Sequence, residues 1–280
     1  MNAASPSPEV PLAESPYELR VAPGAPPEES GIRAALDSGE TGFVHSFTTG
    51  STVDGPGVRL VAWLAGCQFQ CVYCHNPDTW KMHHGTPVTL ARAVEVIQQY
   101  RHALSVMKGG LTISGGEPLM QRRFVLNAFS VAKKLGIHTA LDTNGSLGDR
   151  LSDQDLGCID LVLLDLKALP PDRHRRLTGA DNGPVLAFAR RLAALRKPVW
   201  IRFVLIPGWT DDLAEIGQLA TFVASLGNVE RVDVLPFHQL GRFKWEQLGL
   251  AYALRDTEPP SPSKTQETVA RFREAGLQAF

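Results

Sequence analysis

The sequence predicts an α/β fold with a mainly parallel sheet. Three observations carry this: short apolar runs rich in β-branched residues, amphipathic stretches between them, and polar segments wherever a run finishes. Along the chain, RLVAWLA at 59–65 reads as the first strand and leads into a helical pattern at 90–103. LTIS at 111–114 precedes a helix at 122–135, and HTALD at 138–142 a short one at 153–156. LVLLD at 161–165 is followed by a helix at 185–195, VWIRFVL at 199–205 by one at 212–226, and VERVDVL at 229–235 by one at 264–275. A parallel connection needs a crossover long enough to hold a helix, so six such units favour one parallel sheet. Right-handed crossovers curl that sheet towards an open or closed barrel.

The first 40 residues differ from the rest. They carry seven prolines and few large apolar residues, and read as a flexible tail, 1–40. Seven acids against two bases give the tail a charge of -5, so the chain's net -1 leaves +4 on residues 41–280. Continuous β/α alternation makes that body one domain, with DTEPPSPS at 256–263 as a surface loop. The near-neutral total gives no reason to expect nucleic acid or a membrane surface as a partner. No apolar run of roughly 20 residues and no basic-then-apolar leader is present, so a cytoplasmic location is the default expectation.

Three of the four cysteines crowd into CQFQCVYC, as Cys67, Cys71 and Cys74. This spacing is too tight for a regular helix or strand, so the thiols wrap a loop around something small. Three neighbouring thiolates hold three irons of a 4Fe-4S cluster and leave the fourth open. Two other readings stand beside it: a three-cysteine zinc site completed by His75, His83 or His84, and three buried thiols without metal. Cys158 reads as a small buried hydrophobe.

Polar residues gather where the strands end: Gly115-Gly116-Glu117-Pro118, Asp142-Thr143-Asn144-Gly145, Asp165-Leu166-Lys167 and Pro236-Phe237-His238. Each alone reads equally well as a turn. Together they converge on one mouth, because the C-terminal strand ends build the active site of β/α folds. Arg59 and Arg202 read as charge partners inside the barrel or as plain salt-bridge formers.

At these residues the sequence resembles the radical S-adenosylmethionine (SAM) superfamily. Its cluster motif is Cys-x3-Cys-x2-Cys with an aromatic residue, here Tyr73, before the last cysteine, and Gly115-Gly116-Glu117 is similar to its glycine-rich motif. Within it, residues 46–80, 138–145, 161–167, 199–212 and 235–245 resemble the pyruvate formate-lyase activating enzymes, a family of glycyl-radical enzyme activases. Related activases carry an insert with further cysteines, for which Cys158 alone does not suffice.

The resemblance implies a partial (β/α)6 TIM-like barrel, the radical SAM fold, open at one side. It implies a 4Fe-4S cluster on Cys67, Cys71 and Cys74, with SAM chelating the open iron. Reductive cleavage of SAM then yields a 5′-deoxyadenosyl radical that takes a hydrogen atom from a glycine of pyruvate formate-lyase. Tyr73, Cys74, His75 and His238 are implied around cluster and adenine, Gly115 and Gly116 at the SAM amino group, and Asp165, Leu166 and Lys167 at ribose and methionine. Asp142 and Thr143 resemble a position holding a monovalent cation. Asp54, in the Thr52–Gly57 turn, resembles a residue that orders the partner's glycine loop. A flavodoxin-like electron donor and a monomeric state complete the expectations.

Overall fold

A computed structural model describes residues 18–20 and 28–280. Among the described residues nine strands form one sheet: β1 (Glu18–Arg20), β2 (Thr41–Ser51), β3 (Arg59–Leu64), β4 (Thr86–Thr89), β5 (Gly110–Gly115), β6 (His138–Thr143), β7 (Leu161–Asp165), β8 (Val199–Leu205) and β9 (Val229–Pro236). The order is β1-β2-β3-β5-β6-β7-β8-β9, with β4 on β2. From β3 to β9 every pairing is parallel and the strands follow chain order. These are the six strands read from the sequence, in the partial barrel that the resemblance implies. The set does not close: β2 runs antiparallel along β3, and the main chain of residues 278–280 bonds to Val232 and Val234 of β9.

Parallel strands covered on both faces read as continuous apolar runs, and Leu161–Leu164 of β7 is buried throughout. β8 alternates instead. Val199, Ile201, Phe203 and Leu205 are buried, while Trp200, Arg202 and Val204 point the other way and are partly accessible. Helices Leu90–Val106, Arg122–Lys134, Gly183–Ala194, Leu213–Leu226 and Pro262–Glu274 provide the crossovers and outer layer. Their starts carry the residues that a helix end needs, such as Asp212, whose carboxylate accepts from the amides of Ala214 and Glu215. No helix among the described residues is long and apolar enough to cross a membrane.

The segment read as flexible, 1–40, is in part ordered. Glu29–Ser38 is a helix ending at Gly39, whose φ of 72° suits glycine. It is held to the Arg122–Lys134 helix by hydrogen bonds from Arg123 to the Asp37 carbonyl and from Asn127 to the Gly39 carbonyl. Its proline-poor composition is the local signal that the wider reading averaged away. β1 lies within the same segment, and the rest of it, 1–17 and 21–27, lies outside the described residues.

Candidate active site

A cavity of about 430 Å³ opens where the six parallel strands end. Each strand supplies a residue: Trp63 from β3, Ser114 from β5, Asp142 from β6, Asp165 from β7, Arg202 from β8 and Leu235 from β9. The loop after β3 covers it with Cys67, Cys71, Tyr73, Cys74 and His75. Gly115, Gly116, Lys167 and His238, also foreseen from sequence, line it as well.

Tertiary contacts rather than regular structure hold the cysteine loop. The amides of Gln70 and Val72 donate to the Thr178 and Leu177 carbonyls, and the Cys67 amide to the Trp80 carbonyl. Trp245 Nε1 donates to the Cys74 carbonyl at 2.9 Å. Beyond the loop, Lys244 Nζ donates to Asn76 Oδ1 at 2.8 Å and pairs with Asp78 at 3.0 Å. Burial would raise the Asp78 carboxyl, but His45 and Lys244 outweigh it and hold it below its usual range.

Burial pushes all three thiols up, Cys74 to about 12, with added repulsion from Glu117 at Cys67 and between Cys71 and Cys74. Thiolates there need a compensating cation, which a metal centre supplies. Among the described residues no three His, Cys, Asp or Glu side chains converge to hold a single metal ion. Three thiols lining one cavity suit a cluster, whose irons are bound one by one.

The rest of the cavity fits a polar, nucleoside-sized ligand beside such a cluster. Tyr73 Oη and Arg202 Nε are buried without a partner, both on residues lining the cavity. The His75 and His238 rings stack with centroids 4.1 Å apart, and His75 Nε2 lies 3.3 Å from the His238 carbonyl. Burial, with His238 nearby, brings His75 down to about 4, so its ring is neutral at pH 7, and burial lowers His238 as well. Lys167 bonds Asp165 at 3.0 Å and lies 5.3 Å from the centre of the Tyr73 ring. Burial opposes its charge, yet Asp165, Tyr73 and Cys71 raise it well above the ordinary lysine range.

The two glycines also meet a close protein neighbour. A Cβ on Gly116 would lie 2.4 Å from the Gly66 carbonyl oxygen and 3.0 Å from Cys67 Cβ, and one on Gly115 would lie 2.1 Å from the Leu64 carbonyl oxygen. The amides of Gly116 and Glu117 donate to the Leu64 and Gly66 carbonyls. The missing side chains admit the backbone entering the cysteine loop.

Three foreseen residues stand behind the cavity wall rather than on it. The Leu166 side chain is buried in the core and its amide donates to the Arg202 carbonyl. Thr143 gives its hydroxyl to the Glu117 carboxylate at 2.8 and 2.9 Å. Asp54 pairs with Arg202 at 2.8 Å and reaches the cavity only through it.

Sequence reading undervalued two residues. Glu117 is fully buried and accepts from the amides of Leu119 and Asn144 as well as from Thr143, so one carboxylate ties the ends of β5 and β6 together. Burial lifts it to about 7 against those hydrogen bonds. Arg202 bridges Asp54 to Asp142, whose Oδ2 it meets at 3.0 Å beside Ser114. Burial raises Asp142 to about 6, although Arg202 pulls it down. The one signal available was an arginine at an inward position of an apolar strand.

The profile of the radical SAM superfamily matches residues 62–220, more than half of the chain. The chain is 44% identical over 234 residues to the pyruvate formate-lyase 1-activating enzyme of Escherichia coli strain K12, covering 83% of this chain and 94% of that protein. It is 44% identical over 226 residues to the pyruvate formate-lyase-activating enzyme of Staphylococcus aureus strain USA300, covering 78% and 90%. Among solved structures, a domain of a pyruvate-formate lyase-activating enzyme from Bacteroides vulgatus superposes with a TM-score of 0.51 at 28% identity, over 61% of this chain and 98% of that one. Streptococcus suis SuiB bound to its precursor peptide SuiA superposes at 0.60 over 79% of this chain and 48% of that one, at 16% identity, a likeness of fold alone. By sequence and by fold, the chain belongs to the radical SAM superfamily and, within it, to the pyruvate formate-lyase activating enzymes.

Proposed function

We propose that this chain installs a glycyl radical on pyruvate formate-lyase. The observation that carries the reading is the three-thiol loop suspended over a cavity lined by all six parallel strand ends. When bound, a 4Fe-4S cluster and SAM supply the radical that abstracts the glycine α-hydrogen, which is chemistry of the cofactors rather than of the side chains. The protein's part is to hold, orient and exclude water.

Cys67, Cys71 and Cys74 are the ligands in this reading. Tyr73, His75 and His238 form a flat, uncharged wall for the adenine. Gly115 and Gly116 bring the backbone of the glycine-rich turn against the cysteine loop and so bound the place for the SAM amino group. Asp165 and Lys167, paired to each other, meet ribose hydroxyls and the methionine carboxylate, with Leu166 fixing the main chain between them. Asp142 serves a monovalent cation more readily than Thr143, whose hydroxyl is taken by Glu117. Asp54 meets the partner's glycine loop, Arg202 being its anchor. The electron donor is flavodoxin-like, the enzyme acts as a cytoplasmic monomer, and residues 41–280 are its catalytic unit. Ordering a glycine loop costs roughly 1–2 kcal/mol per residue, so the complex with the partner is transient.

Anaerobic reconstitution should give about four irons per chain. Reduction in the presence of SAM and pyruvate formate-lyase should give the paramagnetic doublet of a glycyl radical. An intact cluster that cleaves SAM yet never produces the doublet with this partner would overturn the assignment, and a doublet with another glycyl-radical enzyme would redirect it.

A further inference from the structure

Arg59, at the start of β3, is fully buried. A buried cation is ordinarily paired with a carboxylate, but its five N–H groups go elsewhere. Nε donates to Thr112 Oγ1 at 2.9 Å, Nη1 to the Pro56 carbonyl at 3.3 Å and towards His138 Nδ1 at 3.2 Å, and Nη2 to the carbonyls of Leu111 at 2.7 Å and His138 at 3.5 Å. Burial brings Arg59 down to about 10, which leaves it charged at neutral pH. Thr112 passes the contact on, its hydroxyl donating to the Asp54 carbonyl at 2.7 Å. Arg59 therefore holds the carbonyls on both sides of Gly55, one directly and one through a relay.

The turn so held is unusually constrained. Gly55 has φ 129° and Gly57 φ 68°, and a Cβ on Gly57 would lie 2.0 Å from the Lys108 carbonyl oxygen. At the other end of the turn, Arg202 Nη2 donates to the Val53 carbonyl and to Asp54 Oδ1, both at 2.8 Å, and Ser51 donates to Asp54 Oδ2. The Val53 side chain is 66% exposed beside this junction.

We infer that Arg59 and Thr112 are positioning residues, which clamp the 53–57 turn from beneath so that Asp54 and Val53 present one fixed geometry to the partner's glycine loop. This deepens the proposed function and rests on it. Arg202 keeps Asp142 whether or not the turn is clamped. Loosening the turn therefore acts on the partner's side of the site and spares the cofactor side.

The test compares Thr112→Val, which deletes the relay with little change of volume, with Thr112→Ser, which keeps the hydroxyl. Reconstituted enzymes are assayed for KM and kcat towards pyruvate formate-lyase, for SAM affinity, and for SAM cleavage without partner. Thr112→Val should raise KM for the partner about tenfold, the equivalent of one hydrogen bond, with kcat, SAM affinity and partner-free cleavage unchanged. Thr112→Ser should restore KM. If Thr112→Val does not fold, Gly55→Ala strains the same turn without emptying the core and should raise KM alike. An unchanged KM, a loss of SAM affinity equal to the loss of partner affinity, or no rescue by serine overturns the inference. Failure of wild-type enzyme to form the doublet would instead overturn the function on which it rests.

Discussion

Glu117 shows how one side chain organises the floor of the site. Its carboxylate takes two amides and a hydroxyl, all donors. Glu117→Gln sets an NH2 group against at least one of them and leaves it unpaired in the interior. The expected cost is about 2 kcal/mol, or roughly a 5 °C fall in Tm for a chain of this size, with the 142–145 segment loosened. Anaerobic thermal melts of the two proteins settle it, and equal Tm values would show that the carboxylate organises nothing. His174 makes the opposite case. It is buried with both ring nitrogens unpartnered, and burial, helped by Lys167, holds it near 4. Its folded pKa lies below its unfolded value near 6.5, so the unfolded state binds the extra proton. The stability contributed by the neutral ring is complete above 6.5 and drains away as pH falls towards 4. His174→Phe, which keeps a ring against Phe69, should therefore lose about 2 kcal/mol less than wild type between pH 7 and pH 5. Urea unfolding at the two pH values measures this, and equal losses would remove His174 from the account.

Among elements, the segment from Phe237 to Gln247 acts as a strap. It carries His238 over His75, Lys244 onto Asn76 and Asp78, and Trp245 onto the Cys74 carbonyl, with the Trp80 and Trp245 rings edge to face at 5.2 Å. With Cys74 as a cluster ligand, as proposed, these contacts would lie behind the ligand rather than on the metal, where loss typically weakens metal binding by 10–100-fold. Trp245→Phe keeps the ring and deletes the hydrogen bond. A chelator should then strip iron roughly ten times faster while circular dichroism is unchanged, and an unaltered rate would mean that the strap is packing only. The strap's helix, Arg242–Gln247, was not legible in the sequence because six residues carry too little period to register. β2 was missed for a related reason. TGFVHSFTTGS mixes glycine, threonine and histidine, and it becomes a strand through antiparallel pairing with β3 and β4. The six parallel strands, by contrast, were found to within two residues, since each carries a local signal, a continuous apolar run as in β7 or an apolar alternation as in β8.

For the whole molecule, charge is divided between an acidic first 40 residues and a body of +4. A basic body attracts an acidic electron donor at long range, and that attraction is screened by salt. Reduction by a flavodoxin-type donor should slow several-fold as ionic strength rises from about 0.05 to about 0.3 M, while reduction by a small uncharged reductant should not. Equal salt dependence for both, in stopped-flow absorbance, would remove electrostatic steering from the description.

The sequence by itself determined the order of the six parallel strands and the helices between them, the three-thiol loop and the polar strand ends, because each depends on residues close along the chain: a period, a spacing, a turn. Only the tertiary structure decided what those ends do to one another. Asp54 and Arg202 are 148 residues apart, and Trp245 lies 171 residues beyond Cys74. Such pairs arise from the register of parallel strands and the path of their crossovers. Neither leaves a trace in local composition, so the buried arginine clamp, the shared carboxylate of Glu117 and the strap over the cysteine loop appear only when the barrel brings its strand ends and edges together.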